Sequence, residues 1–273
     1  MTIDEKLAPF DLTGRIVLVT GGTGGIGRAC VERLHEYGAT VAFTFIENVE
    51  DAAAALDSFN IANVTAHPLD LRSAASIRRC VADVVETHGR LDILLNNAAV
   101  GSATVAALSD DLAEQDSLML TINADGTLKM CQEFLALPES ENRKLINISS
   151  VGGGIAAFPG FRLSDGMSKA AVAFLTRQLA AETVHKDVDV FAVCPGATDT
   201  PMFQASTLNK FTPEERQYFC AHLPKSRLIE PSDIAAVVHF LATPASRVMH
   251  GAILDTSMGL GSRPGLQTEF EGT

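Results

Sequence analysis

Short apolar runs alternate with longer stretches of helical periodicity from one end of the chain to the other. Residues 15–20, 40–45, 63–67, 91–95, 144–149, 188–194 and 252–255 are rich in β-branched residues, the pattern of strands buried on both faces. Between them, 26–37, 49–58, 74–88, 112–135, 167–185 and 232–243 read as helices. Strand, helix, strand at this spacing predicts βαβ units. The expected fold is therefore α/β: one Rossmann-like, doubly wound parallel sheet of about seven strands flanked by helices. Several boundaries carry their own signal. Gly38 suits a left-handed position after the first helix, Ser73 suits an N-cap, and Pro231-Ser232-Asp233 opens the last helix with cap-type residues.

No repeat and no linker interrupts the pattern, so residues 12–260 are expected to form one domain. Residues 1–11 read as a short N-terminal extension. Residues 261–273, with Gly, Pro and acidic residues, read as a loose tail. Residues 200–230 break the regular pattern and carry Pro201, Pro213 and Pro224, which suits a mobile flap beyond a strand end.

Composition narrows the class. The chain has 273 residues, 47% of them apolar, enough for one substantial core. A net charge of -12 argues against nucleic acid and against anionic membrane surfaces as partners. The five cysteines (Cys30, Cys80, Cys131, Cys194, Cys220) are scattered and odd in number, which suits reduced core thiols in a cytoplasmic protein. The N-terminus shows no apolar signal core, and no stretch reaches the roughly 18 apolar residues of a membrane span. The seven histidines form no metal-ligand spacing, so no metal is expected.

Thr20-Gly21-Gly22-Thr23-Gly24-Gly25-Ile26-Gly27 follows a strand and opens a helix. Glycines there let the backbone turn sharply and approach a pyrophosphate, to which the helix N-terminus offers N–H groups and a positive dipole end. In this strand-turn-helix setting the pattern points to dinucleotide binding through Gly21, Thr23, Gly25, Ile26 and Gly27. Further motifs follow in order: Asp70-Leu71, Asn96-Asn97-Ala98-Ala99, Asn123, Ser149-Ser150, Ser168-Lys169 and Pro195-Gly196-Ala197-Thr198-Asp199-Thr200. Together with the glycine turn they resemble the classical short-chain dehydrogenase/reductase family over roughly residues 12–260.

The resemblance implies an NAD(P)-dependent oxidoreductase acting on a small molecule. It implies that Asp70 and Leu71 meet the adenine, that Asn96 lies in the cofactor cleft and helps tie the sheet together, that Asn97 and Ala98 lie beside it, and that Pro195, Gly196, Thr198 and Thr200 contact the nicotinamide end. Lys169 would hold the nicotinamide ribose, Ser150 would orient the substrate, and Asn123 would hold a water beside the site. Phe45 takes the position at the end of the second strand that separates NAD from NADP, with Glu47 two residues later. The neutral Thr44-Phe45 resembles NADP-using members, which favours NADP(H) over NAD(H). Arg28 and Arg72 are candidates for a phosphate, or simply solvated helix arginines. The helices at 112–135 and 167–181 pack across subunits in relatives, which implies a homodimer or homotetramer.

One position departs from the family. Four residues before Lys169, where the family places its proton-transferring tyrosine, stands Asp165, and the Ser150–Asp165 interval is two residues longer than usual. The only tyrosines are Tyr37 and Tyr218. A free aspartate titrates near ~3.9, so holding it protonated at pH 7 takes about 4 kcal/mol, and Lys169 works against that. Asp165 is therefore expected to be an anion and a poor acid. Four readings stay open. The site reduces a substrate that needs no proton there, an iminium being the most natural; it reduces a carbonyl whose proton comes from Ser150, a water, Tyr218 or His222; Asp165 is the base of an isomerase or lyase; or the chain is an inactive dinucleotide binder. Phe158, Phe161, Phe203, Phe211 and Phe219 fall in the two segments expected to shape the pocket and suggest an apolar or flat substrate.

Overall fold

Alternate residues along each strand supply two separate cores, because each strand is covered on both faces. Val17, Val19, Phe43, Leu95, Ile146 and Val193 face one side with Val31, Leu34, Ile234 and Val238; Leu18, Ala42, Leu94, Leu145 and Val190 face the other with Ile77, Val84, Phe134 and Leu179. The computed structural model describes residues 10–46, 52–57, 59, 61 and 63–263. Glu47, most of the expected extension and the tail from residue 264 lie outside the described residues.

The strands are β1 (Ile16–Val19), β2 (Thr40–Phe45), β3 (Val64–Pro68), β4 (Ile93–Asn96), β5 (Arg143–Ile148), β6 (Val188–Pro195) and β7 (Ile253–Thr256). All pair in parallel in the order β3-β2-β1-β4-β5-β6-β7. This is the single-domain, Rossmann-like sheet that the pattern predicts. The strand order reverses between β1 and β4, which opens a crevice at their C-terminal ends.

The principal helices are α1 (Gly25–Glu36), α2 (Ala52–Asp57), α3 (Ala74–His88), α4 (Ser102–Leu108), α5 (Leu112–Leu120), α6 (Thr127–Ala136), α7 (Leu163–Glu182), α8 (Pro201–Ser206), α9 (Pro213–His222) and α10 (Pro231–Ala242). Ser73 caps α3 by accepting from Ser76 N–H, and Gly38 has φ +93°. Three findings differ from the pattern. The expected 112–135 helix is broken by a π-turn, Thr121–Gly126, that carries Asn123. α7 begins at Leu163 rather than 167, so Asp165 lies in its first turn; with Arg162 at the N-cap and no side-chain cap, the sequence carries no start signal there. Finally, 200–230 is largely helical. Its prolines stand in the first turns of α8, α9 and a short 3-10 turn, where the missing N–H costs nothing. Among the described residues no helix is long and apolar enough to cross a membrane, and all five cysteines are free.

Candidate active site

The crevice is floored by two loops that Thr20 locks together. Its Oγ1 accepts from Asn97 N–H (2.9 Å) and Ala98 N–H (3.0 Å), and Asn97 Nδ2 donates to the carbonyls of Thr20 and Gly21 (both 3.0 Å). Thr44 Oγ1 accepts from Gly21 N–H at 2.9 Å. Close approach dictates the glycine at 27: a Cβ there would lie 2.0 Å from the Gly21 carbonyl oxygen and 2.5 Å from Asn97 Nδ2. α1 then starts from Gly24, which offers no side-chain cap, so its first N–H groups are available to a ligand.

The cleft above this floor has a volume of about 1170 Å³. Gly21, Thr23, Gly25, Ile26, Phe45, Asp70, Leu71, Asn97, Ala98, Ser150, Asp165, Lys169, Pro195, Gly196, Thr198 and Thr200 all line it. Gly27 and Asn123 do not; they support its walls. Asn96 ties the sheet as expected, its Nδ2 donating from β4 to Asn147 Oδ1 of β5 at 2.9 Å, but it is buried and does not line the cleft. Asp70 lines the cleft with its carboxylate gripped by Arg72 at 2.7–3.1 Å, which holds it below the usual carboxylate range. Arg28 does not line the cleft: it pairs with Glu32 at 2.9 Å and stacks 4.5 Å above the Phe59 ring.

Ser150, Asp165 and Lys169 all line the cleft. Ser150 Oγ accepts from Gly152 N–H at 3.1 Å and starts the short turn Val151–Gly154. The neighbouring Ser149 is buried and donates to the Lys169 carbonyl at 2.8 Å, anchoring α7 to β5. Asn123 stands behind the cleft lining. Its Oδ1 accepts from Val100 N–H (2.8 Å) and its Nδ2 donates to the Val100 carbonyl (3.0 Å), bolting the π-turn to the loop after β4.

Asp165 and Lys169 are one helical turn apart, yet neither side chain makes a hydrogen bond or an ion pair among the described residues. Burial raises the Asp165 carboxyl above its ordinary 3.8, against the opposing pull of Lys169 and Arg162. The sequence argument expected the lysine to prevail; the depth of the cleft outweighs it. Burial also draws the Lys169 ammonium down, with Asp165 opposing.

The loop between Ser150 and Asp165 is packed through glycines, which the sequence reading missed. A Cβ on Gly153 (φ +91°) would lie 2.2 Å from the Gly166 carbonyl oxygen, and one on Gly152 would lie 3.0 Å from the Phe161 ring. Phe158 and Phe161 line the cleft from this loop, and Met202, Phe203, Lys210 and Phe219 line it from the flap. Phe211 packs on Phe219 with ring centroids 5.4 Å apart and is not in the lining. Tyr218 and His222, offered as proton sources, are exposed, stack on each other at 4.1 Å and are not in the cleft lining. Thr20 and Thr44 were also missed; a hydroxyl directly after β1 is the signal that marks the first.

Comparison with known proteins follows the same outline. The family model described as Enoyl-(Acyl carrier protein) reductase matches residues 21–261. A galactitol 2-dehydrogenase of Rhizobium johnstonii is 34% identical over 254 residues, covering 92% of this chain and 96% of that protein. A 3-oxoacyl-(acyl-carrier-protein) reductase of Thermotoga maritima is 30% identical over 253 residues, covering 91% and 98%. The Pseudomonas aeruginosa RhlG/NADP active-site complex superposes with a TM-score of 0.80 at 32% identity, covering 92% and 98%.

Proposed function

The chain belongs to the short-chain dehydrogenase/reductase family of NAD(P)-dependent oxidoreductases, and from that premise we propose that it reduces a C=O or C=N bond of a small, apolar substrate, using NADPH in preference to NADH. The observation that carries this reading is the pair Asp165 and Lys169. Both face the cleft one turn apart on α7, and among the described residues both side chains are without a partner.

The residues present fit a dinucleotide. The cradle closed by Gly27 leaves no room for side chains between the glycine turn and Asn97, so backbone alone meets a pyrophosphate. Gly21, Thr23, Gly25 and Ile26 would hold the phosphates, Phe45, Asp70 and Leu71 the adenosine end, and Pro195, Gly196, Thr198 and Thr200 the nicotinamide end. Lys169 would hold the ribose hydroxyls with its ammonium, and Ser150 would donate to the heteroatom of the reducible bond. A nicotinamide dinucleotide bound here supplies the hydride. The preference for NADPH rests on the neutral Thr44-Phe45 at the end of β2 and on Arg72 in the cleft wall. The NADP complex of the RhlG relative supports it.

Asp165 takes the position that the family gives to its tyrosine. Burial raises its carboxyl above the ordinary value, and Lys169 and Arg162 pull the other way. We assign Asp165 the role of a negative charge that orients the substrate, rather than that of the proton donor. The test is oxidation of NADPH followed by absorbance against a panel of ketones, aldehydes and imines. Turnover that disappears in Lys169→Ala and Ser150→Ala is expected. No turnover of any class, with NADPH bound, would overturn the reductase reading.

The proposal includes a homodimer or homotetramer in a reducing compartment such as the cytoplasm. α7 leaves Leu163 (83%), Met167 (59%) and Phe174 (66%) exposed, and α5 leaves Leu112 (71%) exposed, apolar area that a second copy would cover. Sedimentation equilibrium that gives a monomer at micromolar concentration would contradict this.

A further inference from the structure

The cleft lining contains two carboxylates, Asp70 and Asp165. Arg72 occupies the first. The second has no hydrogen bond and no ion pair among the described residues, although it is half-buried and cations stand near it. Those cations are engaged elsewhere or withdrawn. Arg162 is held by Asp116 Oδ1 at 2.6 Å and Gln115 Oε1 at 3.0 Å. Lys169 lies beyond ion-pair distance and is the group assigned to the ribose. Lys210, on the flap, lines the cleft and is exposed.

Aromatic side chains line the same cleft. The loop between Ser150 and Asp165 folds Phe161 into the hollow between Gly152 and Gly166, the residue directly after Asp165. Cβ atoms built on those glycines would lie 3.0 Å and 3.5 Å from its ring. Phe161 N–H donates to the Phe158 carbonyl at 3.2 Å, which closes the turn that brings both rings to the cleft. A carboxylate without an ion-pair partner in a cleft lined by phenylalanine rings matches an organic cation: it gains Coulomb attraction from the first and cation–π attraction from the rings.

Building on the reductase reading above, we propose that the substrate of this cleft is a preformed iminium, a flat C=N group that carries a positive charge and apolar substituents, with Asp165 as its counter-charge and Phe158 and Phe161 as the faces on which it lies. The reaction balances without an acid. The iminium carbon gains the hydride, the C=N π electrons become the nitrogen lone pair, and the reduced nicotinamide dinucleotide is oxidised by two electrons. No proton is consumed, which is why the position that holds a tyrosine in relatives tolerates a carboxylate here.

The test uses the full chain saturated with NADPH and a cation that cannot be reduced. Phenyltrimethylammonium is titrated calorimetrically beside its uncharged isostere, tert-butylbenzene. The cation should bind at least about 10-fold more tightly than the isostere. Asp165→Asn should erase that preference, and Phe161→Leu should weaken the cation about 3-fold while leaving the isostere within about 2-fold. The wild-type comparison stands even if a variant fails to fold. Equal affinities in the wild type, or a preference that persists in a folded Asp165→Asn variant, would overturn the proposal. NADPH binding without a cation preference overturns this inference alone. A cation preference without any NADPH or NADH binding overturns the reductase reading and iminium reduction together.

Discussion

Removing the Thr20 hydroxyl tests whether the cleft floor is held as described. Thr20 is 1% exposed, and its Oγ1 is the acceptor for both Asn97 N–H and Ala98 N–H. Thr20→Val keeps the shape and removes the acceptor, leaving two part-buried donors without a partner. Each orphaned group costs about 1–3 kcal/mol, and their partial access to water favours the lower end, about 2–3 kcal/mol for the pair. At roughly 2–4 °C per kcal/mol for a domain of this size, melting should fall by about 4–12 °C. Thr20→Ser, which retains the oxygen, should recover most of the loss. The same loops floor the proposed dinucleotide site, so Thr20→Val should also weaken NADPH binding about 10-fold or more, since about 1.4 kcal/mol is one decade. Differential scanning calorimetry and titration calorimetry read both effects. A Thr20→Val protein that melts with the wild type and binds NADPH equally would refute the role given to this hydroxyl.

Three further outcomes are expected. Lys144 is fully buried and its Nζ lies 2.5 Å from Asp189 Oδ2, so Lys144→Met should destabilise by about 3–5 kcal/mol, read by urea unfolding; no change in the unfolding midpoint would contradict the ion pair. Burial lowers the pKa of His67, His88 and His239, so the folded state binds fewer protons than the unfolded chain below about pH 6.5. Stability should therefore be level above that pH and fall as pH drops below it, and a melting temperature at pH 5.5 equal to that at pH 7.5 would contradict this. The raised Asp165 acts in the opposite sense, from the carboxylate range. Asp165→Tyr should gain ketone reduction at least about 10-fold by supplying the missing general acid; an inert variant that still binds NADPH would favour a site without catalysis.

Much of this architecture is legible in the sequence because each strand is covered on both faces and so writes a continuous apolar run. The glycine turn is legible for a related reason, since only backbone fits between Gly27 and the Gly21 carbonyl. What escaped depends on tertiary contact. The π-turn at Thr121–Gly126 leaves the helical period of its neighbours nearly unchanged. The flap helices were hidden because prolines at helix starts resemble prolines in loops. The upward shift of Asp165 depends on how deep the cleft places it, while the distance to Lys169 along the chain is all that the sequence displays. Asn96 and Asn97 are neighbours in one motif: the sheet tie of Asn96 was legible there, but that Asn97 and not Asn96 lines the cleft shows only in the fold.

The central claim is that the crevice between β1 and β4 is a working dinucleotide site, and calorimetric titration of the full chain with NADPH and, separately, NADH tests it most directly. The account predicts micromolar or tighter binding of NADPH, with NADH weaker. Micromolar NADH with weak NADPH would reverse the cofactor assignment, and heat from neither would contradict the dinucleotide site itself.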